Sequence, residues 1–388
     1  MTPKLPVYMD YHATTPVDPR VFDAMYPYFS QEFGNASSID HIFGARAHEA
    51  VEMAREQVAS CINAKPEEII FTSGATESDN IALLGVAERM ARRGDHIITC
   101  ATEHKAVLDT ANHLERIGKT VTYLPVDRYG LVNPDEVEEA ITDRTILISV
   151  MAANNEIGTL APLKEIGIVA KANGVLFHTD AAQAVGHIPL DVKEMGIDLL
   201  SLSGHKVYGP KGIGALYIGG ANPKRKVSPV MFGGGHERGL RSGTYNVPGI
   251  VGLGKALEIA QKEMKVENGR FRKWTKQMFE SFKDEIEGVT LNGHPEKRLA
   301  HNLNVCFPGI EGKALTHLLR TDVAISTGSA CTTSSVEPSH VLKAIGLDES
   351  NIFSAVRFGL GRFNTEEEIE HCINMVISCS KTLRRFSD

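Results

Sequence analysis

The chain has 388 residues, 42% of them hydrophobic and 23% charged, and its formal net charge is −7. This length favours two domains over a single core, and the mild acidity argues against nucleic acid as a direct partner. The six cysteines include no Cys-x-x-Cys pair and no apolar run approaches the ~20 residues that span a bilayer, so we expect no disulfide framework, no structural metal and no membrane association, and a cytoplasmic location.

Along the chain, the first helical pattern is the stretch around Glu49–Cys61, which has apolar residues at helical spacing. From about residue 66 to 220, short β-rich runs alternate with helical stretches, and this alternation predicts an α/β sheet covered by helices. The predicted strands are Ile69–Phe71, His96–Cys100, Thr120–Leu124, Thr145–Met151, Val175–His178, Leu199–Leu202 and Gly214–Ile218. Ligands bind at the carboxyl ends of strands in such sheets. Five candidate site residues follow β-like runs: Thr76, His104, Asn155, Asp180 and Lys206.

A second region begins beyond a helical stretch that follows Pro248 and continues through Ala256–Glu285. Its strand candidates are Thr290–Leu291, Asn302–Phe307 and Ala324–Ser326. We therefore predict a large domain over residues 15–258 and a smaller α+β domain over residues 259–388.

Two charged residues near the predicted sheet suggest a cofactor. Lys206 lies in a polar turn after a buried strand, and a partly desolvated amine there suits a Schiff-base lysine that holds pyridoxal phosphate. Asp180 follows another strand, where a carboxylate can keep the pyridine nitrogen of that cofactor protonated. Taken singly, a lysine in such a place is usually solvated, and such an aspartate is usually a turn residue or a helix cap.

A turn of small residues links the strand Ile69–Phe71 to a predicted helix. Gly74 and Ala75 let backbone amides approach an anion, and Thr76 adds a hydroxyl group. Because the helix N-terminus directs its positive dipole end to the same point, the turn can hold a phosphate. An ordinary N-cap has the same composition, and both interpretations can hold together.

Cys331 lies in a segment rich in small hydroxylated residues, Ile325–Val341. Such residues cannot build a core, so we expect a mobile, exposed loop, which is where a reactive thiol would lie. The other cysteines lie in apolar or helical surroundings and are interpreted as packing residues: Cys61, Cys100, Cys306, Cys372 and Cys379.

Specific motifs extend these observations over nearly the whole chain. They are Asp10-Tyr-His-Ala-Thr-Thr-Pro16, Thr72-Ser-Gly-Ala-Thr-Glu-Ser-Asp-Asn80, Thr102-Glu-His-Lys-Ala-Val107, Asn154-Asn-Glu-Ile-Gly158, Ser203-Gly-His-Lys206, Gly233-Gly-Gly-His-Glu-Arg-Gly239 with Arg241-Ser-Gly-Thr244, Gly328-Ser-Ala-Cys331, and Arg357-Phe358. With these motifs the chain resembles the cysteine desulfurases of the NifS/IscS type, which use pyridoxal phosphate to take sulfur from L-cysteine. The resemblance implies the α/β aminotransferase-like fold of the fold-type I enzymes, a homodimer, and residues 1–14 packed against the smaller domain.

The resemblance also implies roles for individual residues. Lys206 would bind the cofactor and move protons at the substrate α-carbon, Asp180 would pair with the ring nitrogen, and Gln183 would bond the phenolic oxygen. His104 would lie against the ring and shuttle protons, as a histidine can at neutral pH. The phosphate would be held by Ala75, Thr76, Ser203 and His205, and by Thr244 of the neighbouring subunit. Asn155, which also contacts the cofactor, and Arg357 would clamp the substrate carboxylate.

By the same resemblance, Cys331 would attack the substrate sulfur, become a persulfide as alanine leaves, and pass its sulfur to an acceptor. The acceptor would be an iron–sulfur scaffold protein or a component of tRNA thiolation, and the thiol could lend a transient ligand to a nascent cluster. His12 departs from the pattern familiar in the family, and we expect it to alter contacts at the substrate entrance.

Two alternatives to this function remain open at the level of sequence. The first is another reaction of the same fold, that of an aminotransferase or of a selenocysteine lyase. Cys331 argues against an aminotransferase. A catalytically silent binding subunit is the other, and the joint retention of Lys206, Asp180, His104 and Cys331 argues against it.

Overall fold

The computed structural model describes residues 3–220, 222, 224, 226–327 and 338–387. Its helices are α1 (Pro19–Met25), α2 (Pro27–Ser30), α3 (Ile42–Cys61), α4 (Ala75–Arg89), α5 (Lys105–Arg116), α6 (Pro134–Glu139), α7 (Leu163–Ala172), α8 (Val247–Glu285), α9 (Gly312–Leu319), α10 (His340–Ala344), α11 (Glu349–Ser354) and α12 (Glu366–Ser387). Its strands are β1 (Val7–Tyr8), β2 (Ile69–Thr72), β3 (His96–Cys100), β4 (Thr120–Leu124), β5 (Thr145–Ser149), β6 (Leu176–Asp180), β7 (Leu199–Ser203), β8 (Gly214–Ile218), β9 (Thr290–Leu291), β10 (Asn302–Cys306), β11 (Val323–Ala324) and β12 (Ala355–Gly359).

The large sheet has seven strands in the order β2-β8-β7-β6-β5-β3-β4. Every neighbouring pair is parallel except the two that include β8, which runs antiparallel to β2 and β7. This reversal follows from the connection, because residues 204–213 contain only one 3₁₀ turn and no crossover helix, and a short link returns a strand antiparallel. The predicted α/β class is confirmed.

Helices cover both faces of this sheet, which explains its continuous apolar strands. Successive strand residues point to opposite faces, so Leu147 packs with α4 and α5 whereas Ile148 packs with α3, α7 and α8. All five residues of β5 are buried. The carboxyl ends of the parallel strands consequently lie along one edge, where the following loops meet.

A second core lies around the antiparallel sheet β12-β10-β9 and the parallel pair β1–β11. Helix α8 reaches both cores, since its buried residues up to Ala260 pack beside the large sheet and those from Phe271 onward pack in the second core. Val7 and Met9 also belong to the second core. The boundary at residue 258 stays a prediction. Within the described ranges, no helix combines the length and the apolar character needed to cross a bilayer.

Helix α3 begins at Ile42, seven residues before the stretch predicted from apolar spacing. Its N-cap is His41, whose Nδ1 accepts a hydrogen bond from Gly44 N at 3.1 Å. Histidine is not among the usual capping residues, so composition gave little indication of this start. Two short strands were also absent from the prediction, β1 and β12, because each is defined by a partner distant in sequence.

Candidate active site

A cavity of about 550 Å³ lies at the carboxyl ends of the strands, within the range usual for ligand pockets. The predicted site residues that line it are Ala75, Thr76, His104, Asn155, Asp180, Gln183, Ser203, His205, Lys206 and Arg357. Thr244 is exposed and does not line it, and Cys331 lies outside the described residues. The structure thus collects residues from the region of the large sheet and, with Arg357, from the antiparallel sheet into one site.

Lys206 lies just beyond β7, in the 3₁₀ turn Gly204–Lys206. Its Nζ donates hydrogen bonds to the main-chain oxygens of His12 and, at 2.9 Å, Ala13. Neighbouring His205 contacts Thr14 through Nδ1 at 3.1 Å. Burial, together with the charges of Lys206 and Lys211, lowers the pKa of His205 to about 4, so its ring is neutral at physiological pH.

Asp180 ends strand β6 and is only 5% exposed. Ala182 N donates to its Oδ1 at 2.9 Å. Burial raises the pKa of Asp180, whereas His104, that backbone hydrogen bond and Lys206 oppose the rise. A buried carboxyl group of this kind gains from a cation placed against it, which a protonated pyridine nitrogen would provide.

Beneath Asp180, a polar layer is enclosed in the protein. His178 contacts Ser149 Oγ at 2.8 Å and Ser201 Oγ at 3.0 Å, and burial lowers its pKa to about 3. Asp79 Oδ1 lies 3.6 Å from the Nε2 of this histidine. Burial and the neighbouring Asp180 raise the pKa of Asp79 well above its usual range.

The N-terminus of α4 supplies the anion-binding corner of the cavity. Residues 73–77 line it, and Thr76 lies in the first turn of the helix. Strand β8 passes so close that a Cβ on Gly214 would lie 2.7 Å from the Cα of Gly74. Since a helix N-terminus presents backbone N–H groups and a positive dipole end, this corner suits a phosphate. Ser203 and His205 line the same cavity.

His104 is the N-cap of α5, and its Nδ1 accepts a hydrogen bond from Ala106 N at 3.1 Å. The neutral ring therefore carries its proton on Nε2. Glu103 is buried beside it and accepts from Met151 N at 2.7 Å, which ties the start of α5 to the loop after β5. The position of His104 is thus fixed by its own helix and by the neighbouring strand.

Arg357 lies on β12 and is only 2% exposed. Its Nη1 donates to Asn155 O at 2.8 Å, and its Nη2 donates to Asp10 Oδ1 and to Ser326 Oγ, each at 2.9 Å. Asn155 and Arg357 are therefore adjacent, as a shared carboxylate clamp requires. Asp10 and Ser326 orient the guanidinium. Sequence reasoning missed both roles, although Asp10 opens one of the quoted motifs.

His12 is 1% exposed, lines the cavity and contacts Gln183. The expectation that it alters contacts at the substrate entrance stays a prediction. The five cysteines outside the Cys331 segment pack as predicted, and burial raises the pKa of Cys61 to about 11 and of Cys100 to about 12. Such thiols are poor nucleophiles at neutral pH.

This fold and this site define a class of enzyme, the pyridoxal-phosphate-dependent transferases of fold type I. The aminotransferase class-V model matches residues 7–372, and the chain belongs to that family. A cysteine desulfurase IscS from Anaeromyxobacter dehalogenans (strain 2CP-C) is 52% identical over 384 residues, which cover 99% of this chain and 95% of the relative.

Solved structures of similar proteins have the same fold. A NifS-like protein superposes with a TM-score of 0.89 at 39% identity, covering 96% of this chain and 98% of that one. SspA in complex with cysteine superposes with a TM-score of 0.80 at 41% identity, covering 92% of this chain and 100% of that one. The fold-type I prediction and the predicted dependence on pyridoxal phosphate are confirmed.

Proposed function

We propose that this protein is a cysteine desulfurase, which converts L-cysteine to L-alanine and carries the sulfur as a persulfide on Cys331. The observation that carries the proposal is the cavity where Lys206, Asp180, His104 and Arg357 meet at the strand ends. Curated relatives about half identical over nearly the full length bear the name cysteine desulfurase, and a structural neighbour is described in complex with cysteine.

Pyridoxal phosphate, when bound, supplies an electron sink that weakens bonds at and next to the substrate α-carbon. The residues present fit it. Its phosphate would be held at the N-terminus of α4 by Ala75, Thr76, Ser203 and His205. Asp180 would pair with the ring nitrogen, His104 and Asn155 would contact the ring, Gln183 would bond the phenolic oxygen, and Lys206 would form the covalent link.

We assign binding of the substrate carboxylate to Arg357 and Asn155. A guanidinium bonds a carboxylate through two parallel N–H groups, and an adjacent amide adds a third donor. Because Arg357 is buried and oriented by Asp10 and Ser326, little side-chain freedom is lost when substrate binds. The two groups would hold L-cysteine with its α-carbon toward Lys206, whose Nζ would take and return the proton there.

Sulfur transfer is assigned to Cys331 on the basis of the motif Gly328-Ser-Ala-Cys331, which lies outside the described residues. Its thiolate attacks the sulfur of the bound L-cysteine, and a sulfur–sulfur bond forms as the carbon–sulfur bond breaks. The electron pair left on carbon takes up a proton, which gives alanine. His104, with a proton on Nε2, is the candidate proton carrier.

The protein would act as a cytoplasmic homodimer that delivers sulfur to an iron–sulfur scaffold protein or another acceptor. Large apolar side chains are exposed in one stretch of sequence, among them Phe22, Tyr26, Phe29, Phe33 and Phe43. Exposed apolar clusters of this kind mark interaction surfaces. Thr244 is exposed rather than turned into its own cavity, which supports a role in the neighbouring subunit's phosphate site. Analytical ultracentrifugation should give the mass of two chains; a monomer would contradict this.

Turnover of L-cysteine tests the proposal. The protein loaded with pyridoxal phosphate is incubated with L-cysteine and a thiol reductant, and alanine and sulfide are measured. We expect equal amounts of both products, and traces of each from the Cys331→Ser variant. Transfer of the amino group to a 2-oxo acid, without sulfide, would show an aminotransferase instead.

A further inference from the structure

His12 holds the amide of Gln183 at two points. The His12 ring lies with Nδ1 3.0 Å from Gln183 Oε1, and Gln183 Nε2 donates to the main-chain oxygen of His12, also at 3.0 Å. The same main-chain oxygen accepts from Lys206 Nζ. One residue therefore contacts both of the side chains to which we assign the phenolic oxygen and the covalent link of the cofactor.

The proton on this histidine follows from its partners. A main-chain oxygen only accepts, so the NH₂ group of Gln183 must face it and Oε1 must face the ring. Nδ1 of His12 is therefore the protonated nitrogen and donates to Oε1. The ring is neutral, since burial and the nearby cations Arg357 and Lys206 lower its pKa well below the usual range. Among the described residues, its Nε2 has no hydrogen-bond partner.

This arrangement determines what Gln183 offers the cavity. One N–H of its amide is used at the main-chain oxygen of His12, and its carbonyl oxygen is used at the His12 ring. The remaining N–H is the group that Gln183, which lines the cavity, can present to a ligand. A donor at that place stabilises an oxygen that carries negative charge, as the phenolic oxygen of the cofactor does.

We propose that His12 is a positioning residue for the cofactor: its Nδ1–H fixes the Gln183 amide so that an N–H, and never the carbonyl oxygen, faces the phenolic oxygen. The inference rests on the proposed function, which places pyridoxal phosphate in this cavity. His12, which lines the cavity, would act on the cofactor through Gln183. This contact also gives His12 a role in tuning the chromophore.

The His12 ring is itself held by stacking. His301, just before β10, stacks on it with ring centroids 4.5 Å apart and planes 22° apart, and His187 stacks on His301 at 4.2 Å. His187 Nε2 lies 2.9 Å from Lys206 O and must donate to it. All three rings are buried. The face of the His12 ring thus packs on His301, whereas its Nδ1 hydrogen-bonds Gln183. Substitutions of His12 can therefore separate the packing contact from the hydrogen bond.

Two variants make that separation. His12→Phe keeps a ring on His301 but removes the donor to Gln183. His12→Asn loses the ring, yet its side-chain N–H reaches the position of Nδ1. A hydrogen bond to the phenolic oxygen stabilises its negative charge. The proton that this oxygen shares with the nitrogen of the Lys206 link is then bound less tightly. His12→Phe should therefore raise the pKa of the cofactor chromophore, read from visible absorption against pH, and weaken pyridoxal phosphate binding about five-fold. His12→Asn should retain the wild-type chromophore pKa.

Gln183→Ala supplies the matched background. It should raise the chromophore pKa at least as much as His12→Phe, and adding His12→Phe to it should change nothing further. An unchanged pKa in His12→Phe would overturn the inference, and a shift in His12→Asn alone would show a packing role. Equal shifts in both variants would also overturn it, because the side-chain N–H of the asparagine would then restore nothing. If the wild-type protein formed no visible chromophore with pyridoxal phosphate, the proposed function would fail, which is a separate result from either of these.

Discussion

Lys206 is held at the mouth of the sheet by main-chain oxygens, which direct its amine into the cavity. We expect Lys206→Ala to lose the covalent link to pyridoxal phosphate that borohydride makes permanent in the wild type, because the variant lacks the amine that would form it. Lys211, which lines the same cavity, is the matched control. Mass spectrometry of reduced peptides measures the outcome: label retained in Lys206→Ala, or lost in Lys211→Ala, would refute the assignment.

Arg357 differs from an ordinary salt-bridge arginine in being buried and bonded on both terminal nitrogens. A lysine keeps the charge but loses the two-pronged geometry. Arg357→Lys should raise KM for L-cysteine by at least about 10-fold, the equivalent of one charge-assisted hydrogen bond. Cofactor absorption should be unchanged. Steady-state kinetics test this, and an unaltered KM would remove Arg357 from the substrate site.

Residues of the site differed in how well the sequence predicted them. Lys206, Asp180 and Thr76 were predictable because each follows a strand or begins a helix, and sheet topology then brings them together. The contacts of His12 were not, because His301 and Gln183 reach it from far along the chain. A local motif shows that a residue matters, whereas its partners depend on packing between elements.

At the scale of elements, the loop 233–244 is secured by a buried ion pair. Arg55 of α3 contacts both carboxylate oxygens of Glu237, at 2.8 and 3.0 Å, and both side chains are 3% exposed. Glu237 and Arg238 have positive φ angles of 46° and 57°, which are unfavourable for residues with a Cβ. The ion pair therefore holds in place a backbone conformation that the loop alone would not keep.

Removing one partner of this pair leaves the other charge buried. Glu237→Gln should lower the free energy of unfolding by about 3 kcal/mol. Arg55 also pairs with Glu52, whose side chain is 44% exposed, and Glu52→Gln should cost less than about 1 kcal/mol. Urea unfolding of both variants provides the comparison. Equal losses of unfolding free energy in the two variants would mean that the buried ion pair with Glu237 stabilises the fold no more than the exposed pair with Glu52.

The elements themselves were largely predictable where patterns are local. Strands β3, β4, β8 and β9 have the predicted bounds, and β5 ends at Ser149 instead of Met151. Strand β11 begins one residue before the prediction and ends two residues earlier. Its bounds are set by pairing with β1, a contact between the two ends of the chain that no local pattern encodes.

At the scale of the whole molecule, Glu156 joins the two sheet regions. Its main-chain oxygen accepts from Asn302 and Asn304, each at 3.1 Å, and its carboxylate accepts from Ser339 Oγ at 2.6 Å. Burial raises its pKa to about 7, against opposing effects of the Ser339 hydrogen bond and the charges of Arg357 and His104. At pH values between the ordinary pKa of a glutamate and this raised value, Glu156 is therefore protonated in the folded protein and ionised in the unfolded chain.

This difference makes stability depend on pH. The stabilising contribution is complete below the unfolded pKa of Glu156 and is lost as pH rises through the folded value near 7. Glu156→Gln, which stays neutral, should gain stability relative to wild type by on the order of 2–3 kcal/mol between pH 5 and pH 8. Chemical denaturation at both pH values checks this, and a difference independent of pH would contradict it.

Persulfide formation on Cys331 is the direct test of sulfur transfer. The protein loaded with pyridoxal phosphate is mixed with L-cysteine in the absence of reductant, and intact mass, peptide mass and alanine are measured in the same sample. We predict that each chain gains the mass of one sulfur atom, located on Cys331, for each alanine released. Alanine release with the sulfur on another cysteine, or with no added sulfur on the protein, would contradict the account.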